Sequence, residues 1–265
     1  MSAQSLSGIE TTFGLNLLNS VGCQESYVFS PISWLFVFAL LGNEKFNSTV
    51  FDKYSDLGFL DSEVRSYLKN DLTDISVRAD SGINDVRRNS PNQTRILFNA
   101  GWEEKLHEKR SWLFYPSKYN SKVITYLIKE KHVLLNVDDA FQMISIMYEN
   151  KSLQFVVLVP SKPCGLKKAL KKLTKQRFEK LFQESTVQLV QIMIPKLDVL
   201  QLLINSKVLG LQPPIKTSLK YKESPRISKM LYRPENRLPY HFRADHPFVF
   251  AVLRNGHPVY FGVFS

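Results

Sequence analysis

The sequence ADHPFVFAVLRNGHPVYFGVF, residues 244–264, carries the strongest structural signal in this chain. Two runs rich in aromatic and β-branched residues flank the tetrapeptide Arg254-Asn255-Gly256-His257. Asn-Gly is the dipeptide that two-residue hairpin turns favour most, because both of its residues tolerate a positive φ. We therefore predict that a compact β-hairpin ends the protein.

The region before residue 42 predicts a helix, a short strand and a second helix. Residues 9–22 have an apolar face at helical spacing, and residues 25–29, ESYVF, predict a short strand. Ser30 followed by Pro31 is typical of a helix N-cap with proline at the first helical position. The helix that follows, 32–41, is apolar nearly all round, which predicts that it is buried.

The second half of the chain predicts strands alternating with helices. Residues 153–160 form an apolar run and residues 187–194 alternate, and a proline ends each segment, so both are predicted strands. Between them, residues 166–182 have an apolar stripe and a lysine-rich remainder, and we predict one helix there. Residues 200–209 predict a short helix that Gly210 ends as a C-cap.

Other stretches give weaker patterns. Residues 47–57 and 61–72 indicate weak helices in a polar region, and residues 143–147 form a short apolar run. Residues 106–109 and 122–131 carry charge without a clear period, so no element is predicted for them.

The composition is that of a basic globular protein. Of the 265 residues, 44% are hydrophobic and 22% are charged, which argues against a disordered chain or a coiled coil. The net charge of +11 favours loose contact with polyanions. Charge alone does not indicate a specific nucleic-acid function, and we predict none.

Cysteine content and hydropathy bear on the compartment. Cys23 and Cys164 are too few for a disulfide framework. The N-terminal residues lack the basic and apolar regions of a secretory signal, and no apolar run reaches the ~18 residues of a membrane span. We therefore expect a reduced, cytoplasmic protein without a membrane span, in which the sequons at Asn47, Asn92 and Asn150 are unused.

Several stretches resemble sequences of the serpin family of serine protease inhibitors. Residues 244–262 are the most specific of them. The others are FSPIS at residues 29–33, residues 153–160 with the helix behind them, residues 190–197 followed by 209–211, and residues 227–232. Together these stretches cover most of the two ends of the chain.

The resemblance implies an α+β, serpin-like fold with mixed and antiparallel sheets, several helices, a reduced sheet A and a C-terminal β-hairpin. It implies a single domain over residues 1–265 that is incomplete at about residues 60–100 and in the loop 233–243. It also implies an inhibitor of serine proteases, or of cysteine proteases, that uses no cofactor. The family is often extracellular, which is at odds with the N-terminal sequence.

The resemblance further identifies part of the polar cluster that gates the large sheet in serpins. Ser30, Ser33 and Asn99 match members of that cluster. Tyr232 stands where the family carries a histidine, so the cluster is only partly present.

The loop before the C-terminal hairpin argues against the family's inhibitory mechanism. Serpins inhibit by inserting a cleaved loop into a sheet as a new strand. Here the eleven residues from Arg233 to Arg243 extend at most about 36–40 Å. Pro234 and Pro239 lack the N–H groups of an inserted strand, and Arg233 and Arg237 would be costly to bury unpaired. No reactive-centre bond is assigned. A degenerate family member and an incomplete chain both fit.

A basic binding module is the competing interpretation. Lys167, Lys168, Lys171, Lys172 and Lys175 would hold a polyanion or a protein partner on helix 166–182. The simpler interpretation is a core-packed helix with a solvated lysine face. A third expectation is self-association by strand exchange, because a sheet that lacks strands exposes its edges.

Enzyme and metal motifs are missing from the sequence. His107 begins a segment that lacks the second histidine of a zinc-protease helix, and no Cys-His cluster forms a metal site. The chain has no Gly-x-Ser-x-Gly, P-loop or dinucleotide-binding motif. We therefore predict no catalytic residues, no metal and no cofactor, and we expect His246 to be structural and Cys164 an ordinary surface cysteine.

Overall fold

The computed structural model of the protein describes residues 6–32, 76–78, 95–97, 106, 108–197, 200–203, 216–219 and 238–265. Its helices are α1 (Leu6–Val21), α2 (Leu166–Lys172) and α3 (Lys175–Gln183). The strands of its largest sheet are β1 (Tyr27–Phe29), β4 (Glu108–Ser117), β5 (Asn120–Val137), β6 (Phe141–Met147), β7 (Leu153–Pro160), β8 (Thr186–Pro195), β11 (Tyr240–Arg243), β12 (Phe248–Arg254) and β13 (His257–Phe264). Two small sheets pair β2 (Ser76–Arg78) with β3 (Arg95–Leu97) and β9 (Leu200–Leu203) with β10 (Lys216–Leu219).

The nine-stranded sheet is mixed, which confirms the predicted α+β class. Its strand order is β1-β13-β12-β7-β6-β5-β8-β11, and β4 pairs with the first half of the long strand β5. All its pairings are antiparallel except that of β11 with β8, which is parallel. The C-terminal hairpin, β12 and β13, therefore lies between β1 and β7 in one half of the sheet. Strand β11 lies at the opposite end of the sheet from β1.

The predicted C-terminal hairpin is confirmed as β12 and β13. Arg254 pairs with His257, so the connection has two residues. Asn255 and Gly256 have φ values of 48° and 82°, as a type I′ turn requires. The turn geometry is thus the one that the Asn-Gly dipeptide predicted.

One part of the buried core lies between α1 and the hairpin half of the sheet. Phe13, Leu17 and Leu18 of α1 are fully buried, and the helix packs against β13. Gly262 of β13 allows Tyr27 and Phe250 of the neighbouring strands to approach its backbone closely. A Cβ at this position would lie 2.5 Å from the backbone oxygen of Tyr27 and closer still to the ring of Phe250. A glycine is therefore required by packing at this position.

The other confirmed elements match their predicted bounds closely. The predicted helix 9–22 corresponds to α1, which ends one residue earlier, at Val21. The predicted strand 153–160 is β7, and the predicted strand 187–194 lies within β8. The apolar run 143–147 lies in β6. Pro31 and Ile32 are helical directly after Ser30, and the rest of the helix predicted for 32–41 lies outside the described residues, as do the weak helices 47–57 and 61–72.

Two predictions about helices were wrong. Residues 166–182 form two helices, because Thr174 is extended (ψ 166°) and its hydroxyl accepts a hydrogen bond from the Arg177 N–H as the N-cap of α3. Residues 200–203, predicted as the start of a helix, form strand β9, whose antiparallel pairing with β10 outweighs the helix propensity of its leucines. The remainder of 200–209 lies outside the described residues.

The charged stretch 122–131, for which no element was predicted, is strand. It belongs to β5, and residues 108 and 109 of the other charged stretch begin β4. The burial of β5 changes face along its length, since Tyr126 is fully buried whereas Val133 and Leu135 are buried on the opposite face. A strand whose buried face switches shows no sustained alternation, and the period-2 pattern is lost.

The predicted incompleteness of residues 60–100 falls mainly outside the described residues and stays a prediction. Within that region the structure describes only strands β2 and β3. Among the described residues, no helix is long and apolar enough to cross a membrane.

Candidate functional site

The segment predicted as a vestigial loop ends in a strand. Tyr240, His241, Phe242 and Arg243 pair in parallel with Val190–Met193 of β8. Pro239 lies directly before this strand and Leu238 is 96% exposed. Arg233, Pro234 and Arg237 lie outside the described residues. The prediction that residues 233–243 form one connecting loop is therefore wrong for its last four residues.

Side chains and backbone hold β11 in place. The Tyr240 hydroxyl donates a hydrogen bond to Gln142 Oε1 (3.1 Å), and burial raises the pKa of that hydroxyl. His241 Nδ1 lies 2.7 Å from Gln191 Oε1. Phe242 is fully buried, and the Ala244 N–H donates to the Met193 carbonyl at 2.9 Å. These contacts make residues 240–244 part of the folded sheet.

The structure describes one member of the predicted sheet-gating cluster. Ser30 is fully buried between the end of β1 and the helical residues Pro31 and Ile32. Ser33, Asn99 and Tyr232 lie outside the described residues, so their grouping with Ser30 stays a prediction.

The five lysines predicted to bind a polyanion fall into two groups. Lys172 forms an ion pair with Asp139 (3.1 Å), and Lys175 forms one with Glu179 (3.7 Å). Lys167, Lys168 and Lys171 are exposed on α2 and make no ion pair within the described part of the chain. The opposite face of α2 packs into the core through Leu166, Ala169 and Leu170.

An arginine between two aspartates joins the helices to the sheet. Arg177 donates to Asp138 Oδ2 from Nε (3.0 Å) and from its terminal nitrogen (2.6 Å), and it also contacts Asp139. Asp138 Oδ1 in turn accepts from the N–H groups of Ala140 and Phe141. Hydrogen bonds from Arg177 and Lys172 lower the pKa of Asp139. Sequence reasoning missed this cluster, because 38 residues separate Asp139 from Arg177.

A groove with arginines on both sides lies on the outer face of the sheet. It is lined by Arg110 and Trp112 of β4, Ile128 of β5, Gln191 and Met193 of β8, and Arg243 of β11. Trp112 is 49% exposed. This surface was also missed, because it depends on the pairing of β4, β5, β8 and β11, and only β8 was predicted as a strand.

The remaining candidates are structural or isolated. His246 is buried, with Nδ1 2.8 Å from Asp245 Oδ1 and Nε2 3.0 Å from the Pro160 carbonyl, as expected for a structural histidine. Cys164 is exposed, and burial raises the pKa of the Cys23 thiol. Within the described ranges, no group of three histidine, cysteine or acidic residues is arranged to hold a metal ion.

Asn150 of the third sequon is exposed in a turn, whereas Asn47 and Asn92 lie outside the described residues. The Asn150 Oδ1 accepts hydrogen bonds from the Ser152 N–H (3.0 Å) and hydroxyl (2.8 Å). Its side chain therefore stabilises the turn between β6 and β7. That the three sequons are unused stays a prediction.

Comparison with known proteins identifies the fold and gives a match to one family model over part of the chain. The family model of the serpins (serine protease inhibitors) matches residues 93–208. No curated protein sequence gives a match. Among solved structures the chain resembles maspin, with a TM-score of 0.72, 16% identity and 98% of each chain covered.

Two further solved structures show the same similarity. The thermophilic serpin tengpin in its native state gives a TM-score of 0.73 at 14% identity, covering 100% of this chain and 95% of that one. Native protease nexin-1 with heparin gives a TM-score of 0.70 at 13% identity, with 98% of each chain covered. The chain therefore has the serpin fold, and the family model of the serpins matches its residues 93–208.

Proposed function

We propose that this serpin-family protein binds a serine protease, or a cysteine protease, through the segment before β11, and that it does not trap the protease by loop insertion. The observation that carries the proposal is the pairing of Tyr240–Arg243 with β8. Because these residues already belong to a sheet, the connecting segment in the sequence shortens from eleven residues to seven, 233–239.

The length of that segment argues against insertion. Seven extended residues span at most about 23–25 Å, and this distance has to include any return to β11. A trapping loop needs a row of backbone donors long enough to form a complete strand on one side of the cleaved bond. A segment of seven residues that contains two prolines does not provide one.

The chemistry of the segment favours recognition as a substrate. Leu238 is almost fully exposed next to Pro239. Arg233 and Arg237 are the residues of this stretch after which a trypsin-like protease would cleave. Burying either arginine without a partner of opposite charge would be costly. Exposed connecting segments are also the usual sites of proteolytic cleavage. We therefore propose a substrate-like contact rather than a covalent trap.

Incubation with a panel of serine and cysteine proteases, followed by denaturing gels, tests this function. The proposal predicts competition with a chromogenic substrate, cleavage within 233–239 and no SDS-resistant complex. The double variant Arg233→Ala, Arg237→Ala should lose the competition, and Lys168→Ala, Lys171→Ala, with the same change in charge, should retain it. If the protein competed with the chromogenic substrate of none of the proteases, the proposed partner would be contradicted. An SDS-resistant complex would contradict the proposed mechanism.

Polyanion binding through α2 is a second candidate function. Lys167, Lys168 and Lys171 are exposed without an ion pair among the described residues, and they share one short helix. A structurally similar serpin, protease nexin-1, is described with heparin. This similarity supports the candidate, because both proteins have the serpin fold.

Two double variants distinguish a polyanion-binding site on α2 from a helix face whose lysines are only solvated. Lys168→Ala, Lys171→Ala removes two lysines without an ion pair, whereas Lys172→Ala, Lys175→Ala removes two ion-paired lysines and the same charge. On a heparin column, the first pair should elute at lower salt than the second and reduce the slope of log affinity against log salt by about 1–2. Equal elution of the two double variants would exclude a specific site on α2.

A further inference from the structure

We propose that the groove between β4 and β11 binds an extended acidic segment of a partner protein, with an apolar side chain seated between two carboxylates. The six lining residues include two arginines and no acidic residue. Arg110 lies on β4 and Arg243 on β11, at opposite sides of the groove. The charge of the lining therefore favours an anionic ligand with two separated charges.

The spacing of the arginines defines the length of that segment. The strands run in the order β4, β5, β8, β11, so three interstrand spacings separate the two arginines. At ~4.8 Å per spacing this gives a separation of roughly 14 Å between the two strands. An extended peptide rises ~3.3 Å per residue and points residues i, i+2 and i+4 to one face. Carboxylates at i and i+4, about 13 Å apart, therefore fit the two arginines.

The middle of the groove accounts for the apolar side chain. Ile128 and Met193 are register partners on the adjacent strands β5 and β8, and Met193 is also the register partner of Arg243. With Trp112 they form an apolar floor that is partly open to solvent. Tryptophan, arginine and methionine are enriched where proteins bind each other, and methionine adapts its shape to a partner. Residue i+2 of the segment would lie on this floor.

Polar contacts at one end keep the floor in position. Gln191 lies between two neighbours, with Oε1 2.7 Å from His241 Nδ1 and Nε2 3.4 Å from Glu130 Oε1. Its amide is therefore engaged within the sheet, and Glu130 places a negative charge beside that end of the groove. A ligand carboxylate is thus directed towards the arginines.

The inference does not depend on the proposed protease contact, because none of the lining residues belongs to segment 233–239. Its test uses the full chain and a fluorescein-labelled peptide, Ser-Glu-Ser-Leu-Ser-Glu-Ser, blocked at its free end. The fluorescence anisotropy of the label reports binding of the peptide to the protein, and the tryptophan emission of the protein reports contact of the peptide with Trp112. We expect saturable binding that weakens at least about tenfold in Arg110→Ala, Arg243→Ala.

Matched controls make the result specific. Lys118→Ala, Lys162→Ala removes the same charge at exposed positions outside the groove and should change the affinity less than about twofold. Trp112→Phe should keep most of the affinity but abolish the change in tryptophan emission. A peptide with its glutamates three residues apart should bind at least about threefold more weakly, because the i+3 side chain points to the other face.

Three results would overturn the proposal. The first is no saturable binding by the folded wild-type protein, checked by circular dichroism. The second is equal affinity of the wild type and the double arginine variant. The third is binding of polyglutamate or a heparin fragment that equals the peptide in affinity and is lost in Arg110→Ala, Arg243→Ala, since this would indicate a plain anion site with no role for the apolar floor.

Discussion

Tyr240 lies beside Val190 in the parallel pairing of β11 with β8. Strand β11 begins at Tyr240, seven residues after Arg233. The Tyr240 hydroxyl donates a hydrogen bond to Gln142 of β6. The contact ties the segment before the hairpin to the sheet at its C-terminal end. It is the structural reason why we propose binding without insertion for this protein with the serpin fold.

Replacing Tyr240 by phenylalanine should weaken the attachment of β11. The variant loses one hydrogen bond and leaves Gln142 Oε1 without this donor, so we expect a loss of about 0.5–1.5 kcal/mol in the free energy of unfolding. Urea denaturation measures the change, and a double-mutant cycle with Gln142→Ala isolates the pair. A coupling energy near zero in that cycle would show that the hydrogen bond does not stabilise the strand.

Gly256→Ala should destabilise the C-terminal hairpin through its backbone conformation alone. Gly256 has a φ of 82° and a Cβ there would meet nothing within 4 Å. An L-residue with a side chain in this left-handed region costs roughly 1–2 kcal/mol. Thermal unfolding of the variant measures this loss, with Asn255→Gly as the control that keeps the positive φ and should be nearly neutral. A larger loss in Asn255→Gly than in Gly256→Ala would contradict the turn assignment.

Gly262→Ala should be more damaging than Gly256→Ala, because the same methyl group is added in a closed space. Its Cβ would be forced against the Phe250 ring and would lie 2.5 Å from the Tyr27 oxygen. Overpacking of this kind costs typically 1–3 kcal/mol, and occasionally more. Adding Phe250→Leu should restore only part of the stability, because no side-chain substitution removes the contact with the backbone oxygen of Tyr27. Full restoration would show that the ring alone requires the glycine.

The carboxyl group of Glu10 should make stability depend on pH. Glu10 is buried, with Oε2 2.9 Å from His257 Nδ1, and burial raises its pKa above the usual 4.5 although His257 opposes the shift. A raised pKa means that the folded state holds the proton more tightly than the unfolded state. Stability from this group is therefore fully present below about pH 4.5 and is lost as pH rises towards the folded pKa.

Glu10→Gln is the matched variant for this prediction, because glutamine keeps the shape and does not ionise. The stability of the wild type relative to the variant should fall as pH increases above 4.5, by at most about 1.4 kcal/mol per pH unit. Chemical denaturation at a series of pH values measures the difference. A difference that rises with pH would show that pairing with His257 outweighs the cost of burial.

The sequence predicted the elements whose local signals agree with their packing. The hairpin at Asn255-Gly256 was predictable because the dipeptide encodes the turn and apolar runs encode both strands. Strand β7 was predictable for a similar reason, since it is buried on both faces and a proline ends it. In these elements one pattern extends over the whole length.

Other features depend on long-range pairing that no local pattern shows. The switch of buried face along β5 removed its alternation, and the break at Thr174 left the apolar stripe of 166–182 unchanged although the helix is interrupted. The groove between Arg110 and Arg243 combines strands that are more than a hundred residues apart in sequence. The lysines could be counted from sequence, but the ion pair of Lys172 with Asp139 could not.

The melting temperature after a single cleavage within residues 233–239 tests the central claim most directly. An inserted strand would add ladder hydrogen bonds worth ~0.5–1.5 kcal/mol each, and the cleaved protein would become much more stable. We predict that the nicked protein, with its two fragments still associated, melts at the same temperature as the intact chain or lower. A rise of tens of degrees would contradict the account and would establish that the segment inserts.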